Sequence, residues 1–347
     1  MPTIKDVAKK AKVSVGTVSN VLSGTAPVSP AARGRVLKAI ERLDYHPDHF
    51  ARSLKTGQSH MLGMVISDIT NPFFPQLTRG AEDAAIKHNY LLVTFNTDDQ
   101  LERERRVLSL LRTRRTDGIL LVVAPNAGQT EHIEKTIASG IPIVCLDRIQ
   151  KFGVSSVAVD NVAGTEMCVR HLLSVGHRKI GILTGNLHLQ NAVERLLGYE
   201  NALREAHIPV DRDLILEGDF RAGSGYLLTK QIWLSGKKPG ALFVSNCMMG
   251  LGALKALREM GVRCPDDVAL AVFDEIPGNG SFYPEITTVV QPAYEIGFKG
   301  AELLIEQIEA GRSNNVPVEI RLQPELRIRE STLPSARTFK RSEAERN

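Results

Sequence analysis

Apolar residues in the first 45 positions recur every three or four residues, which is the spacing of one face of a helix. Thr3 and Asp6 have the spacing of a capping box, and Ser14 is suited to cap the helix that follows. Ser29 precedes Pro30, which favours the start of a third helix. The pattern predicts three short helices, the first two joined by a tight turn as in a helix-turn-helix unit. The predicted inward positions are Ile4, Val7, Ala8 and Ala11, then Val15, Val18 and Leu22 or Val21, then Val36, Leu37, Ile40 and Leu43.

From residue 62 onward, continuous apolar runs alternate with helical segments. Such runs are typical of strands covered on both faces, so we expect a doubly wound parallel α/β fold, with two sheets in about 270 residues. The predicted strands are LGMVISDI, YLLVTFNTD, DGILLVV, IPIVCLDR, SSVAVDN, KIGILTG, ALFVSN, ALAVFDE and TTVVQP. Ligands of these sheets bind at the carboxyl ends of the strands. Polar residues at those ends are Asp68, Asn71, Asn96, Asp147, Arg148, Asp160, Asn161, Asn246, Asp274 and Glu275.

The basic charge of the chain is concentrated near its N-terminus. Residues 1–58 hold ten Lys and Arg against four Asp and Glu, a balance of +6, which leaves −2 for the remainder of a chain with net charge +4. A small basic module before a near-neutral body indicates one part that binds phosphate and another part with a different task. The intervening HPDHFARSLKTGQ is too short and polar to form a core, and it predicts a connector with a marginal helix.

Composition and motifs exclude several classes of protein. Hydrophobic residues make up 43% of the chain, which predicts a folded protein, and no apolar run has the length of a membrane span. The N-terminus has no secretory signal, so we expect a cytoplasmic protein without a membrane partner. Four scattered cysteines without CxxC spacing favour reduced thiols. Because phosphate-binding loops, nucleophile elbows and metal-ligand spacings are missing, we predict no catalytic residue, no metal and no cofactor.

Several motifs occur along the chain in a specific combination. They are TIKDVAKKAKVSVGTVSNVL at 3–22, LDYHP at 43–47, ARSL at 51–54, DITNPFF at 68–74, TDGILLV at 116–122 and VGHRKIGILTG at 175–185. Together they resemble the LacI/GalR (lactose-repressor) family of bacterial transcription regulators over residues 3 to 332. The resemblance implies a repressor with a helix-turn-helix head, a hinge helix and a two-lobed core like that of type I periplasmic binding proteins.

The resemblance also implies partners. These are double-stranded DNA with a near-palindromic operator, a second copy of the chain in a homodimer, and a small sugar or sugar derivative that controls operator affinity from the core. Two alternatives stay open at this point: a small-molecule binding protein without a DNA role, and a doubly wound enzyme with an accessory head.

The implied domains follow the same motifs. A helix-turn-helix domain spans 1–46, a hinge helix and linker span 47–60, the core spans 61–334 and a charged tail spans 335–347. Within the core, the expected N-lobe takes 61–161 and 291–320, and the expected C-lobe takes 162–290 and 321–334.

The second helix is the predicted recognition helix, with its N-terminal residues in the major groove. Asn20 can pair bidentately with adenine, and Thr17 can contact a thymine methyl group or a phosphate. Ser14 and Ser29 could bind phosphate or could serve only as N-caps, and both alternatives stay open. The predicted DNA contacts are Thr3, Ser14, Val15, Gly16, Thr17, Ser19, Asn20, Ser29, Tyr45, Ala51 and Leu54.

In the hinge, the resemblance implies that Leu54 is a wedge inserted into a minor-groove base step, with Ala51 packed beside it. Unstacking a base step costs a few kcal/mol and is offset when the bent DNA touches more protein. The alternative is that Leu54 only packs against the core or against the partner of the dimer.

In the core, the resemblance implies an effector cleft. Arginine and aspartate offer fixed donors and acceptors to the hydroxyl groups of a sugar, and an aromatic face can stack on its C–H groups. Phe73 and Phe74 could equally be ordinary core residues. The implied cleft residues are Phe73, Phe74, Asp147, Arg148, Asn191, Arg195, Phe220, Asn246 and Asp274.

The charge of this cleft bears on the chemistry of the effector. Relatives commonly read SND where this chain has Cys247 in the third position, so one hydroxyl acceptor is missing. With Arg148 and Arg195 both expected at the cleft, we predict a cavity more positive than that of sugar-binding relatives and an effector with an anionic group, a sugar acid or sugar phosphate. The alternative is that Asp147 and Asp274 neutralise the two arginines and that the site holds a neutral polyol.

The basic head predicts a strong dependence of DNA binding on salt. If six to eight phosphates are engaged per dimer, the slope of log affinity against log salt concentration should be about −5 to −7, at roughly −0.9 per phosphate. Fluorescence anisotropy of labelled operator DNA over a range of KCl concentrations measures this slope. A slope of about −1 would contradict the DNA-binding assignment.

Overall fold

The computed structural model describes residues 2–24, 26–45, 59–114, 116–149, 152–281, 283–311 and 316–333. The chain divides into two compact units, 1–59 and 60–347. Ala51 and Leu54, the DNA contacts predicted in the hinge, lie outside the described residues, as does the predicted charged tail. Within the described ranges, no helix is both long and apolar enough to cross a membrane.

The N-terminal unit is a three-helix head. Its helices are α1 (Ile4–Ala11), α2 (Val15–Ser23) and α3 (Pro30–Leu43). They enclose a small apolar core, which is the expected result of three amphipathic helices that each bury one face. The buried members of this core are Val7, Ala8, Ala11, Val18, Val36, Ala39 and Tyr45.

The helices of the head begin where the sequence predicts. Thr3 and Asp6 form a capping box at the start of α1. The hydroxyl groups of Ser14 and Ser29 each accept a hydrogen bond from the N–H three residues further on, at 3.1 Å and 3.4 Å, and so cap α2 and α3. Gly24 ends α2 with a φ of 68°, a left-handed conformation that costs glycine little.

Two predicted core positions of the head are wrong. Val15 is 41% exposed and Leu37 is 50% exposed. Because the short α2 is anchored by Val18, its first residue lies at the rim of the core. In α3, Val36 and Ala39 face inward, which places Leu37 on the outer face.

A six-stranded parallel sheet forms the first lobe of the second unit. Its strands are β1 (Met61–Ile66), β2 (Leu91–Asn96), β3 (Gly118–Leu121), β4 (Ile143–Leu146), β5 (Ser155–Val159) and β11 (Glu319–Leu322). The helices that cover it are α4 (Phe73–Lys87), α5 (Leu101–Thr113), α6 (Glu131–Ala138) and α11 (Ala293–Ala310). The strand order is β11–β5–β4–β3–β1–β2, and every pairing is parallel.

A second six-stranded sheet forms the other lobe. Its strands are β6 (Ile180–Thr184), β7 (Ile215–Glu217), β8 (Ala241–Val244), β9 (Ala269–Phe273), β10 (Thr287–Val290) and β12 (Glu325–Arg327). Its helices are α7 (Asn161–Ser174), α8 (Gln190–Glu205), α9 (Ala222–Leu234) and α10 (Cys247–Glu259), and single-turn 3-10 helices lie at Arg212–Leu214, Asn279–Ser281 and Glu330–Thr332. The order is β12–β10–β9–β8–β6–β7, with only β12 antiparallel to its neighbour.

The predicted fold class, a helical head with two doubly wound parallel sheets, is confirmed. All predicted strands are present, and the structure adds β7, β11 and β12. These three are edge strands of three or four residues. A short, partly exposed edge strand lacks the continuous apolar run on which the prediction depended.

The chain passes between the two sheets after β5, after β10 and between β11 and β12. These three crossovers join the lobes along one side of the cleft between them. A backbone hydrogen bond joins the first and third crossovers: the N–H of Asp160 donates to the carbonyl of Leu322 at 2.8 Å. A change in the angle between the lobes must therefore be absorbed by a few residues at these positions.

Two glycines allow the helices α4 and α11 to cross in close contact. A Cβ atom at Gly80 would lie 1.9 Å from the carbonyl oxygen of Tyr294, and one at Gly297 would lie 1.9 Å from the carbonyl oxygen of Leu77. Since both obstacles are backbone atoms within helices, they cannot move aside as a flexible side chain can.

We expect Gly80→Ala to lower the free energy of unfolding by about 3 kcal/mol, because an added methyl group must push two packed helices apart. Thermal or urea unfolding measures the change. Gly223→Ala in α9 is the matched control, since a Cβ there meets no atom within 4 Å. It should be neutral or should stabilise by up to about 1 kcal/mol, and equal effects of the two changes would contradict the helix-crossing argument.

Candidate functional site

A polar cavity lies in the cleft between the two lobes, at the carboxyl ends of the strands. Its space, including the opening to solvent, is about 440 Å³. The structure brings all nine predicted cleft residues to this cavity. The lining consists of Asp68, Asn71, Phe73, Phe74, Asp99, Asp147, Arg148, Asn191, Arg195, Asp219, Phe220, Arg221, Asn246, Asp274 and Gln291.

Four of the lining residues were missed as candidates by the sequence analysis. Gln291 directly follows β10, so the rule that ligands bind at strand ends could have found it. Asp99 lies three residues beyond β2. Asp219 and Arg221 follow β7, a strand too short to be predicted.

Three cavity residues have left-handed backbones. Asp147, Phe220 and Asp274 have φ values of 62°, 64° and 75°. Non-glycine residues adopt this conformation at a cost of about 1 kcal/mol or more, and such strain is concentrated at functional sites. The ring of Phe220 also occupies the space beside Gly185, where an added Cβ would lie 2.0 Å from it. An alanine at position 185 would therefore require the ring of Phe220 to move.

Arg195 is 2% exposed and is held on several sides. Its Nε donates to the side-chain oxygen of Asn161 at 2.9 Å, and its Nη1 donates to the carbonyl of Ser245 at 2.5 Å. The guanidinium lies 3.8 Å above the ring centroid of Phe273 and 5.8 Å from that of Phe220. This arrangement fixes a planar donor group at the cavity wall.

Arg148 is 3% exposed and is paired inside the protein. Its Nη1 donates to Asp99 at 2.6 Å and to the carbonyl of Val123 at 2.7 Å, and its Nε lies 3.7 Å from the carboxylate of Asp147. Burial raises the pKa of Asp99, but the guanidinium of Arg148 has the opposite effect. The pKa of Asp99 therefore lies below its ordinary value. Arg148 is therefore matched by carboxylates of the protein.

The lining holds more acidic side chains than were predicted from the sequence, and a cavity more positive than that of sugar-binding relatives stays a prediction. The lining holds five aspartates, Asp68, Asp99, Asp147, Asp219 and Asp274, against three arginines, Arg148, Arg195 and Arg221. Arg148 and Arg195 were predicted as cleft residues from the sequence, whereas Asp99 and Asp219 were not. Cys247, where an acceptor was thought to be missing, is fully buried at the start of α10 and is not part of the lining.

Asp147 is buried without a full set of hydrogen bonds. Burial raises its pKa from 3.8 to about 6, against the opposing effect of Arg148 and Arg195. Its Oδ2 accepts from the amide Nδ2 of Asn191 at 3.1 Å. Its Oδ1 has no hydrogen-bond partner within the described residues. Burial also raises the pKa of Asp274.

Three buried oxygens of the lining have no hydrogen-bond partner in the described part of the chain: Oδ1 of Asp147, Oδ1 of Asn191 and Oε1 of Gln291. The amide orientations of Asn191 and Gln291 are fixed chemically, because their NH₂ groups face the carboxylates of Asp147 and Asp274, which can only accept. Nε of Arg148 is the one donor of the lining in the same condition, so the described cavity presents more acceptors than donors and matches a ligand rich in donors.

Phe73 and Phe74, for which the sequence left cleft and core positions open, have both kinds of contact. They line the cavity and also belong to the apolar core, where their rings meet edge to face at 5.2 Å. Asn246, whose side chain caps α10, donates to the carbonyl of Phe220 at 2.8 Å.

Across the residues that the structure describes, no group of His, Cys, Asp and Glu could hold a metal ion.

In the head, α2 exposes its first turn. Val15 and Gly16 are exposed, while Thr17, Ser19 and Asn20 are half-buried. The Oγ atoms of Ser14 and Thr17 lie 2.9 Å apart, so both hydroxyl groups already take part in the cap. Tyr45 is 9% exposed and packs in the head core. The basic residues exposed on the head are Lys5, Lys9, Lys10, Lys12, Arg33, Arg35, Lys38 and Arg42.

A helix-turn-helix head joined to a two-sheet core with a polar cleft defines the class of ligand-responsive DNA-binding regulators. Comparison with known families agrees in both parts. Residues 3–48 match the bacterial regulatory proteins of the lacI family, and residues 169–332 match the periplasmic binding protein-like domain.

Individual relatives match almost the whole chain. The ribose operon repressor of Halalkalibacterium halodurans is 36% identical over 332 residues, which are 96% of this chain and 97% of the relative. The transcriptional repressor PurR of Aliivibrio salmonicida is 35% identical over 89% of this chain and 93% of its own. The chain therefore belongs to the LacI family: it is a DNA-binding repressor with an effector-binding core, and not an enzyme.

Solved structures are similar in fold. The lac repressor dimer bound to operator and the anti-inducer ONPF has a TM-score of 0.84 at 26% identity, over 96% of this chain and 99% of its own. A LacI family regulator from Enterococcus faecium with bound ribose has a TM-score of 0.69 at 29% identity, over 79% of this chain and 99% of its own.

The raised pKa of Asp147 predicts a pH dependence of stability. The native state holds the proton more tightly than the unfolded chain, so ionisation costs stability as the pH rises from about 4 to about 6. Relative to the wild type, Asp147→Asn should therefore gain up to about 3 kcal/mol of unfolding free energy between pH 4 and pH 7. Urea unfolding at several pH values measures the gain.

Asp267→Asn is the control for this experiment. It removes a carboxylate whose pKa is lowered by hydrogen bonds from Arg263, so it should show no gain as the pH rises. A flat difference between Asp147→Asn and the wild type from pH 4 to pH 7 would contradict the raised pKa.

Proposed function

We propose that this repressor acts in the cytoplasm as a homodimer on a near-palindromic operator, and that its effector is a small neutral polyol, with a pentose such as ribose as the first candidate. The observation that carries the choice of effector is the set of three unpartnered acceptor oxygens on Asp147, Asn191 and Gln291. Hydroxyl groups of a sugar can donate to each of them.

The same acceptors argue against an anionic effector. A carboxylate or phosphate brings further acceptors into a cavity that already holds more aspartates than arginines. Arg148 is also occupied by Asp99, which leaves it fewer donors for an anion. A neutral polyol avoids the cost of burying an additional negative charge.

We assign roles in the cleft accordingly. Asp147 and Asp274 accept from sugar hydroxyl groups, and Arg195 donates to a ring or hydroxyl oxygen. Phe73 and Phe220 offer apolar faces for C–H groups. Arg148, Asn191, Asn246 and Phe74 complete the predicted set of nine. The kinship with a ribose operon repressor and the similarity to a ribose-bound regulator support a pentose.

For DNA, we propose that α2 reads bases through Asn20 and Thr17, with Val15 and Gly16 at the groove because they are exposed. The remaining predicted contacts act on phosphates or flank the groove. They are Thr3, Ser14, Ser19, Ser29 and Tyr45, with Ala51 and Leu54 in the hinge.

Control by the effector follows from the placement of its contacts on both lobes. Asp147 and Arg148 follow β4 of the first sheet, whereas Asn191 and Arg195 lie on α8 beside the second sheet. A ligand that bonds to both sets favours one angle between the lobes over others, and a coupling of about 1 to 3 kcal/mol to operator affinity is the usual scale.

The test uses the full-length protein and an operator obtained by selection from random DNA. Isothermal titration calorimetry should detect D-ribose binding, with no gain in affinity for D-ribonate, its anionic counterpart. Ribose should change operator affinity by about fivefold or more in fluorescence anisotropy. The selected operator should have twofold symmetry.

Arg195→Lys is the matched variant. It keeps the charge but loses the planar fork, so it should weaken ribose binding by about tenfold or more. The operator affinity of the ligand-free protein should change little. Tighter binding of ribonate than of ribose would overturn the proposed effector class, and no binding of ribose at all would overturn ribose as its candidate.

A further inference from the structure

A partly buried ion pair connects the two lobes beside the cleft without lining it. Glu194 lies on α8, next to the second sheet, and Arg321 lies on β11 of the first sheet. The two Nη atoms of Arg321 donate to the two carboxylate oxygens of Glu194, each at 2.8 Å. The side chain of Glu194 is 10% exposed and that of Arg321 is 30% exposed. A bidentate pair of this kind is strong and directional.

Asn161 joins this ion pair to the cavity. Its Nδ2 donates to Glu194 Oε2 at 2.9 Å, and its Oδ1 accepts from Arg195 Nε at 2.9 Å. A carboxylate can only accept, so Glu194 forces the amide NH₂ of Asn161 toward itself. The amide oxygen of Asn161 faces Arg195, whose guanidinium can only donate, so Glu194 and Arg195 together fix the amide from both sides.

The ionised form of Glu194 is the one that the surroundings favour. Burial raises its pKa, but hydrogen bonds from Arg321 and Asn161 outweigh burial and hold the pKa below its ordinary value. Near neutral pH, the carboxylate is therefore an acceptor for both partners.

We propose that Glu194 is a positioning residue for the effector site, which through Asn161 fixes the orientation of Arg195 and through Arg321 ties that orientation to the angle between the lobes. The inference rests on the proposed effector site. It adds a residue outside the cavity that controls both effector affinity and the transmission of effector binding.

Two residues bonded to Glu194, Asn161 and Arg321, lie at the crossovers between the lobes. Asn161 follows the first crossover, and Arg321 stands two residues before the third. The bond between Asp160 N–H and Leu322 carbonyl holds these two crossovers together. A change in lobe angle must therefore shift Glu194, Arg321 or Asn161 relative to one another, and Arg195 moves with them.

The test compares Glu194→Gln with Glu205→Gln in the full-length protein. Glu205 lies on the same helix and bonds Arg170 at 2.8 Å, but both side chains are exposed and the pair is far along α8 from the cavity. Glu194→Gln should weaken D-ribose binding by about tenfold or more, because a neutral amide no longer fixes Asn161. Glu205→Gln should change it by less than about twofold.

A double-mutant cycle separates positioning from simple destabilisation. If Glu194 acts through Arg195, Glu194→Gln should have little further effect on ribose affinity in an Arg195→Lys background. The same loss in both backgrounds would show that Glu194 affects binding by another route and would overturn the proposal.

Hydrogen exchange of the ligand-free proteins gives a readout that does not depend on which sugar binds. Glu194→Gln should speed exchange by about tenfold or more at the crossover amides around Asp160 and Leu322, and Glu205→Gln should not. Unchanged exchange there would overturn the inference. If wild-type protein fails to bind ribose while Glu194→Gln speeds this exchange, ribose fails as the effector and the connection from Glu194 to the crossovers stands.

Discussion

The buried guanidinium of Arg195 is the constraint on which the cleft depends. A cation removed from water must be matched by acceptors and opposite charge, because an unmatched buried charge is very costly. Here the match comes from Asn161 at the start of α7, from the carbonyl of Ser245 after β8 and from the face of Phe273 in β9. Three elements of the second lobe must be in register before this one side chain can be buried.

The same constraint applies to both buried arginines of the cavity. The two buried arginines of the lining, Arg148 and Arg195, are matched by the carboxylates of Asp99, Asp147 and Asp274, so their burial is balanced by charges of the protein itself. Asp99 takes the main pairing of Arg148, and Asp147 lies near it without a hydrogen bond to its Nε. The buried polar atoms left without a partner in the described lining are three acceptor oxygens and one donor, Nε of Arg148, so acceptors are in excess.

Much of this molecule could be predicted from its sequence, because parallel strands covered on both faces leave continuous apolar runs. That pattern located the strands that end at Asp147, Asn246 and Asp274 and predicted the chemistry at their ends. It missed β7, and with it Asp219, because a three-residue edge strand has no such run.

Other features lie beyond any local pattern. Glu194 and Arg321 are 127 positions apart, and nothing in either neighbourhood indicates that they pair. Helical spacing alone also could not decide all inward positions of the head, since Val15 and Leu37 are compatible with the same apolar faces as Val18 and Val36 but are exposed in the structure. Local periodicity constrains elements, whereas side-chain partners depend on how the elements dock.

The energetics of the cleft suit a regulator better than a tight binder. Each acceptor without a partner lowers the stability of the ligand-free state by about 1 to 3 kcal/mol, and a ligand that donates to it recovers that free energy. A part of this recovery is offset by lost motion of ligand and lobes. What remains can bias the angle between two lobes whose sheets are joined by three crossovers, and Asp147 and Asp274 present their acceptors from left-handed backbones. Backbone strain and unpaired acceptors would each be a disadvantage in a protein that only had to be stable, and so would a narrow connection between the lobes. Here the three features act together, because they let the ligand bias the angle between the lobes.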